Sequence, residues 1–113
     1  MGIFSRKSAE PDPKPVVSPD VLVREFLRGQ NLEQIGKQGD AITLYEHAVA
    51  CGFDASGPYD RLLIIYEQRR MHRDVIRVAQ ACLESVRTYP ARKLFYEELL
   101  AKAEKALASS IDG

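Results

Sequence analysis

Laid over itself with Gly29 on Leu63, the chain aligns without a gap from α-helical turn to turn along more than half its length. "GQNLEQ", from Gly29, falls on "LIIYEQ", from Leu63, so Glu33–Gln34 meets Glu67–Gln68 unchanged. Ala41–Ile42 meets Val75–Ile76, Leu44 meets Val78, Ala48 meets Cys82 and Val49 meets Leu83. A period between ~20 and ~50 residues is the mark of one supersecondary unit used repeatedly. Such a unit cannot bury its apolar face alone, so it must stack on a neighbour.

Local punctuation identifies the unit as a helical hairpin. Ser18 is a good N-cap and Pro19 follows at the first helical position, where its missing N–H costs nothing. Val17 and Leu22 have the spacing of a hydrophobic staple. A first helix is expected from Pro19 to about Ile35, with Leu22, Phe26 and Gly29 as its stripe and Val23 and Leu27 beside it. Gly36 and Gly39 mark a tight turn. The second helix is expected from near Gly39–Asp40, with Ala41, Ile42, Leu44, Tyr45, Ala48 and Val49 as its apolar positions. Gly52 ends it as a left-handed cap, and Phe53 folds back onto the Ala48 turn. Pro58 opens a third helix with Asp60 in its positive first turn. After a turn near Met71–His72 comes a fourth, whose stripe is Val75, Ala79, Cys82, Leu83 and Val86.

Pro90 opens a fifth helix to about Ser109, with Tyr96, Leu100, Ala103 and Leu107 along one side and charges along the other. The repeat register carries Pro58 onto Arg92, but the opening proline is Pro90, so this helix is out of phase and suits a terminal cap. No stretch alternates like a strand. The expectation is an all-α chain of antiparallel hairpins: two repeats plus a C-terminal capping helix, five helices in all. The helical domain spans 17–110. Residues 1–16 carry Pro11, Pro13 and Pro15 at every second position and read as a proline-rich leader with no fixed fold.

The period and the hairpin together resemble the tetratricopeptide repeat family, whose pattern is W-x2-L-G-x2-Y, then A-x3-F, then proline. In the second unit Tyr59, Leu62, Leu63 and Tyr66 take the first four positions, and Val75 and Ala79 take the small and aromatic ones. In the first unit Gly29, Leu32, Ala41 and Tyr45 match, while Glu25 and Arg28 depart from the apolar Trp and Leu. Phe53 and Arg87 stand where the family has proline. The likeness covers residues 22–87, and "GFDASGPYDRLLIIYEQ" is also similar to a segment of bacterial tetratricopeptide-like proteins. It implies that the first helix of each unit lines a concave groove. Carried across, the groove positions are Gln30, Glu33 and Gln34 from unit one and Asp60, Ile64, Glu67 and Gln68 from unit two.

Composition narrows the function. Sixteen basic residues balance sixteen acidic ones, which disfavours a chain built mainly to coat nucleic acid or an anionic membrane. No apolar run approaches the ~20 residues of a membrane span. Two cysteines, Cys51 and Cys82, without a secretory signal read as reduced thiols in the cytoplasm.

"TLYEHAVAC", Thr43 to Cys51, gathers Tyr, Glu, His and Cys into one short run. On a helix Thr43, Glu46 and His47 fall on one stripe opposite Ala41, Tyr45 and Ala48, so a solvent-facing helix face is expected. His47 and Cys51 are one helical turn apart, but two ligands do not make a zinc site, and no second pair with metal-ligand spacing exists. Cys82 sits at a core position, where a free thiol is a small buried hydrophobe. No metal, cofactor or catalytic group is therefore expected, and the chain is not read as an enzyme.

The expected function is a non-enzymatic scaffold or adaptor that binds another protein or an extended peptide, basic or polar, in the groove. The alternative uses the basic turn "RRMHRD": Arg69, Arg70, Arg73 and Arg77 would meet nucleic acid or an acidic partner. Nucleic acid is the weaker of these two. The apolar start "VLVREFL" also leaves room for a homodimer.

Overall fold

The computed structural model describes residues 16–87 and 92–112, and in them the fold is all-α with five helices. They are α1 (Pro19–Gln34), α2 (Gln38–Ala50), α3 (Gly57–Gln68), α4 (His72–Ser85) and α5 (Lys93–Asp112). The leader through Pro15 and the expected helix start at Pro90 lie outside the described residues, so α5 is seen from Lys93 onward.

The helix ends follow from local chemistry. The Ser18 side chain accepts the Asp20 N–H and caps α1, with Pro19 at its first position. At the other end Gly36 adopts φ +81°, and the Lys37 N–H returns to the Leu32 carbonyl at 2.8 Å. At Gly52, φ +67°, the Phe53 N–H returns to Ala48 at 3.1 Å, which is the predicted fold-back. The third end has the same form without glycine. Arg70 takes φ +56°, and the Met71 N–H returns to Tyr66 at 2.9 Å. Gly36 and Arg70 fall on each other in the repeat register, at the ends of α1 and α3. Gly39 is not part of the first turn. It lies inside α2, which begins at Gln38, just ahead of where the turn signal suggests.

The helices form two layers. Glu33 of α1 reaches Arg61 of α3, and the Phe26 ring lies against Gly57 at the start of α3. Asp60 and Glu67 of α3 reach Tyr96 and Lys102 of α5. Thus side chains bridge α1 to α3 and α3 to α5, while α2 packs against α1 and α3, α4 packs against α3 and α5, and α2 and α4 touch each other. The core between the layers holds Tyr45, Tyr59, Leu62, Leu63, Tyr66, Val75, Val78, Ala79 and Cys82, closed at one end by Tyr96 and Ala103. The six residues that the repeat register puts at its centre, Tyr45, Ala48, Leu62, Tyr66, Ala79 and Cys82, are all buried.

Close approach explains Gly29. A Cβ there would stand 2.6 Å from Cε1 of Tyr45, so only glycine lets α1 lie on that ring.

Candidate functional site

Neighbouring helices are tied by sets of an acid, a tyrosine and an arginine. In the first tie Glu33 of α1 accepts the Tyr45 hydroxyl of α2 at 2.5 Å and two N–H groups of Arg61 of α3 at 2.7 and 2.9 Å. In the second, Glu46 of α2 accepts the Tyr66 hydroxyl of α3 and two N–H groups of Arg77 of α4 at 2.7 and 2.9 Å. In the third, Asp60 of α3 accepts the Tyr96 hydroxyl of α5 at 2.7 Å, with Arg92 at 3.5 Å. The acid of each tie sits one helix further along the chain than the last.

The electrostatics match the geometry. Hydrogen bonds from Arg61 hold the Glu33 carboxyl below its usual range against a smaller cost of burial. At Glu46 burial opposes ionisation, but the bonds from Arg77 and Tyr66 together outweigh it and the carboxyl is again lowered. Burial first, then the Glu46 bond, pushes the Tyr66 phenol up to about 12. Burial and a carboxylate acceptor raise Tyr45 and Tyr96 in the same way. No buried side-chain polar atom among the described residues lacks a partner.

These ties sort the groove residues inferred from the repeat. Glu33 is turned into the first tie, with its side chain only 13% exposed. Asp60 is turned into the third. Glu67 is 39% exposed and stands 4.0 Å from Lys102. Gln30 is half-buried, and Gln34 and Gln68 are exposed. Ile64 is 42% exposed. Two positions that align by sequence, Glu33 and Glu67, thus have different surroundings. Thr43 of the solvent stripe is exposed as expected, but Glu46 and His47 are not simply solvated. Glu46 belongs to the second tie, and His47 bonds to Glu25 of α1 at 2.7 Å. Stripe geometry places a residue on its own helix and is silent on which neighbouring helix reaches it.

The helices α1, α3 and α5 carry exposed apolar side chains. Val23 is 44% exposed, Leu27 52%, Ile64 42% and Phe95 48%. Leu94 of α5 is exposed as well. Among the described residues no large apolar side chain of α2 or α4 is exposed to this degree. Val23, Leu27, Gln30 and Gln34 share one face of α1, and Ile64 and Gln68 share one face of α3.

The basic turn is divided. Arg77 is bound by Glu46 and Asp74, and Arg69 donates to Gln38. Arg70 and Arg73 are exposed. Arg70, His72, Glu67 and Lys102 line an open cleft of about 700 Å³ between the α3–α4 turn and α5. A smaller cleft of about 300 Å³ lies between α4 and α5 beside Cys82 and Tyr96.

Cys51 and Cys82 are free thiols. Burial pushes the Cys82 thiol up to about 11. Among the described residues no three His, Cys, Asp or Glu side chains are grouped to hold a metal ion, and no helix is long and apolar enough to cross a membrane. Sequence reasoning missed Glu25, Arg61 and Tyr96 as partners. Glu25 stands where the expected pattern has an apolar residue, and that departure was the available signal.

No family model matches the chain, and no match is found among curated proteins or solved structures.

Proposed function

We propose that the protein is a non-enzymatic scaffold that binds an extended peptide or protein segment across the outer face of α1, α3 and α5. One observation carries the reading: the exposed apolar side chains Val23, Leu27, Ile64 and Phe95 lie on these three helices, with none among the described residues exposed to that degree on α2 or α4. Exposed apolar groups gathered on one layer, with polar neighbours, mark an interaction surface. Gln30, Gln34 and Gln68 beside them offer both donors and acceptors to a peptide backbone. Glu67 supplies an exposed carboxylate for a basic side chain, worth at most ~1 kcal/mol at that exposure. Affinity on this reading is modest, and it weakens with salt only to the extent that Glu67 contributes.

The test is selection of peptides from a displayed library on the full-length chain, followed by Leu27→Asp with Ile64→Asp. Both residues are already exposed, so the double variant keeps the fold while binding is lost. Peptides that bind the double variant as well as the wild type would overturn the reading. The cleft beside Arg70, His72 and Lys102 favours a second reading, an acidic partner at the basic turn. Selected peptides rich in Asp and Glu, and lost on Arg70→Ala with Arg73→Ala, would assign the binding there.

A further inference from the structure

A carboxylate, an imidazole and a thiol stand in line at the C-terminal end of α2. Glu25 Oε1 lies 2.7 Å from Nδ1 of His47, and Nε2 of the same ring lies 3.6 Å from Sγ of Cys51. The order has a chemical consequence. Glu25, held on α1, accepts a hydrogen bond from Nδ1–H and so selects the neutral tautomer whose Nε2 keeps its lone pair. That lone pair faces the thiol. His47 lies on α2 one turn before Cys51, the residue that caps the helix, which stacks the ring beside the sulfur. Neither group is closed off from solvent: the His47 side chain is 39% exposed and Cys51 is half-buried. Cys82, by contrast, lies in the core.

The titratable groups that reach Cys51 are Glu25 from α1 and Tyr59 from α3, besides His47 on its own helix. Burial first, then the Glu25 charge, raises the Cys51 thiol above its ordinary value. Burial pushes the Tyr59 phenol up to about 12, so it stays neutral. The resting sulfur is therefore a thiol, and such a thiol reacts well only if a base removes its proton during attack.

We propose that Cys51 is a modification site, a base-assisted thiol that captures soluble disulfides, with His47 as the base and Glu25 as the residue that positions it. In the step, Nε2 of His47 takes the thiol proton as Sγ attacks one sulfur of the incoming disulfide. A new Sγ–S bond forms, the old S–S bond breaks, and the displaced thiolate takes the proton back from the imidazolium. The Cys51 sulfur is oxidised to a mixed disulfide, and the displaced half of the co-reactant is reduced to a thiol. The site shares no residue with the α1–α3–α5 outer face, so it stands or fails independently of the docking reading.

The experiment uses the full-length reduced protein and 5,5′-dithiobis(2-nitrobenzoate), with the released chromophore followed over a pH series and the modified cysteine located by peptide mass. One equivalent is released rapidly near neutral pH and maps to Cys51, and Cys51→Ser removes that phase. His47→Gln slows it by about a hundredfold, the low end of what a positioned base contributes, and its rate climbs toward the wild type only where the thiol ionises unaided. Glu25→Gln changes the shape of the pH profile as well as the rate, which a purely structural role would not do. An unchanged rate in His47→Gln overturns the proposal. Should that variant fail to fold, the wild type is compared with its own urea-unfolded chain: faster reaction of Cys51 in the folded protein supports the proposal, and equal or slower reaction overturns it.

Discussion

Glu33 and Glu67 fall on each other when the sequence is laid over itself with Gly29 on Leu63, yet their removal should have very different costs. Glu33→Ala deletes the acceptor of the Tyr45 hydroxyl and of two Arg61 N–H groups. Tyr45 is fully buried, so its hydroxyl loses that acceptor in a place water does not reach, a cost of ~1–3 kcal/mol. Arg61 is 35% exposed and can turn to solvent, so its share is that of a surface pair, ~0–1 kcal/mol. The sum is about 2.5 kcal/mol, which lowers Tm by roughly 10 °C in a chain of this size. Glu33→Gln keeps an oxygen for Tyr45 and should cost about half as much. Glu67→Ala removes only a 4.0 Å contact between exposed groups and should stay within ~0.5 kcal/mol of the wild type. Urea titration followed by circular dichroism gives all three values, provided the slope is unchanged. If Glu33→Ala were as harmless as Glu67→Ala, the inter-helix role of Glu33 would be refuted. A binding test that mutates both glutamates together would therefore confuse folding with recognition.

Gly29→Ala places a Cβ 2.6 Å from a buried tyrosine ring and should cost ~1–3 kcal/mol, more than the ~1 kcal/mol gained in helix propensity; a calorimetric melt checks it. Arg70→Gly relieves a left-handed φ of +56° and should raise stability by about 1 kcal/mol, seen as a higher urea midpoint. Stability should also fall at both ends of the pH scale, as a urea midpoint series would show. Glu33 and Glu46 are lowered in the folded state, so their contribution is present above the ordinary carboxylate range and is lost as pH falls through their folded values. Tyr66 is raised from 10.0 to about 12, so its contribution is whole below 10.0 and is lost as pH climbs toward about 12.

The helices were legible because their signals are local. Ser18–Pro19, Gly36 and Gly52 each act within a turn of their own position, and the apolar stripe follows from the helix itself. The start of α2 at Gln38, ahead of Gly39–Asp40, was not legible because Gly39 needs no special φ and is tolerated inside a first turn. Arg70 shows the converse. Its left-handed conformation is set by its place after α3, whereas residue type alone points away from it. The ties were illegible for a different reason. Tyr45 and Arg61 lie 12 and 28 positions beyond Glu33, whereas Tyr66 and Arg77 lie 20 and 31 positions beyond Glu46. No common spacing exists to find, since the first two ties each depend on how three helices cross and the third on how α5 meets α3.

The placement of those ties bears on what remains free. Each tyrosine that enters one comes from a buried position, and each carboxylate turns inward or sideways to meet it. On α3, Arg61 points toward α1, Asp60 and Glu67 point toward α5, and Tyr59, Leu62, Leu63 and Tyr66 point into the core. Ile64 and Gln68 are what is left facing out. The same accounting on α1 takes Glu25 and Glu33 for α2 and α3; Val23, Leu27 and Gln34 stay exposed on one side, and Arg24, Arg28 and Asn31 are exposed as well. Glu25, Glu33, Asp60 and Arg61 are thus engaged in holding neighbours together, and beside them Val23, Leu27, Ile64, Gln34 and Gln68 present an apolar and amide surface. A partner for that surface would be selected by shape and backbone hydrogen bonding more than by charge, so Leu27 and Ile64 are better probes of recognition than any glutamate.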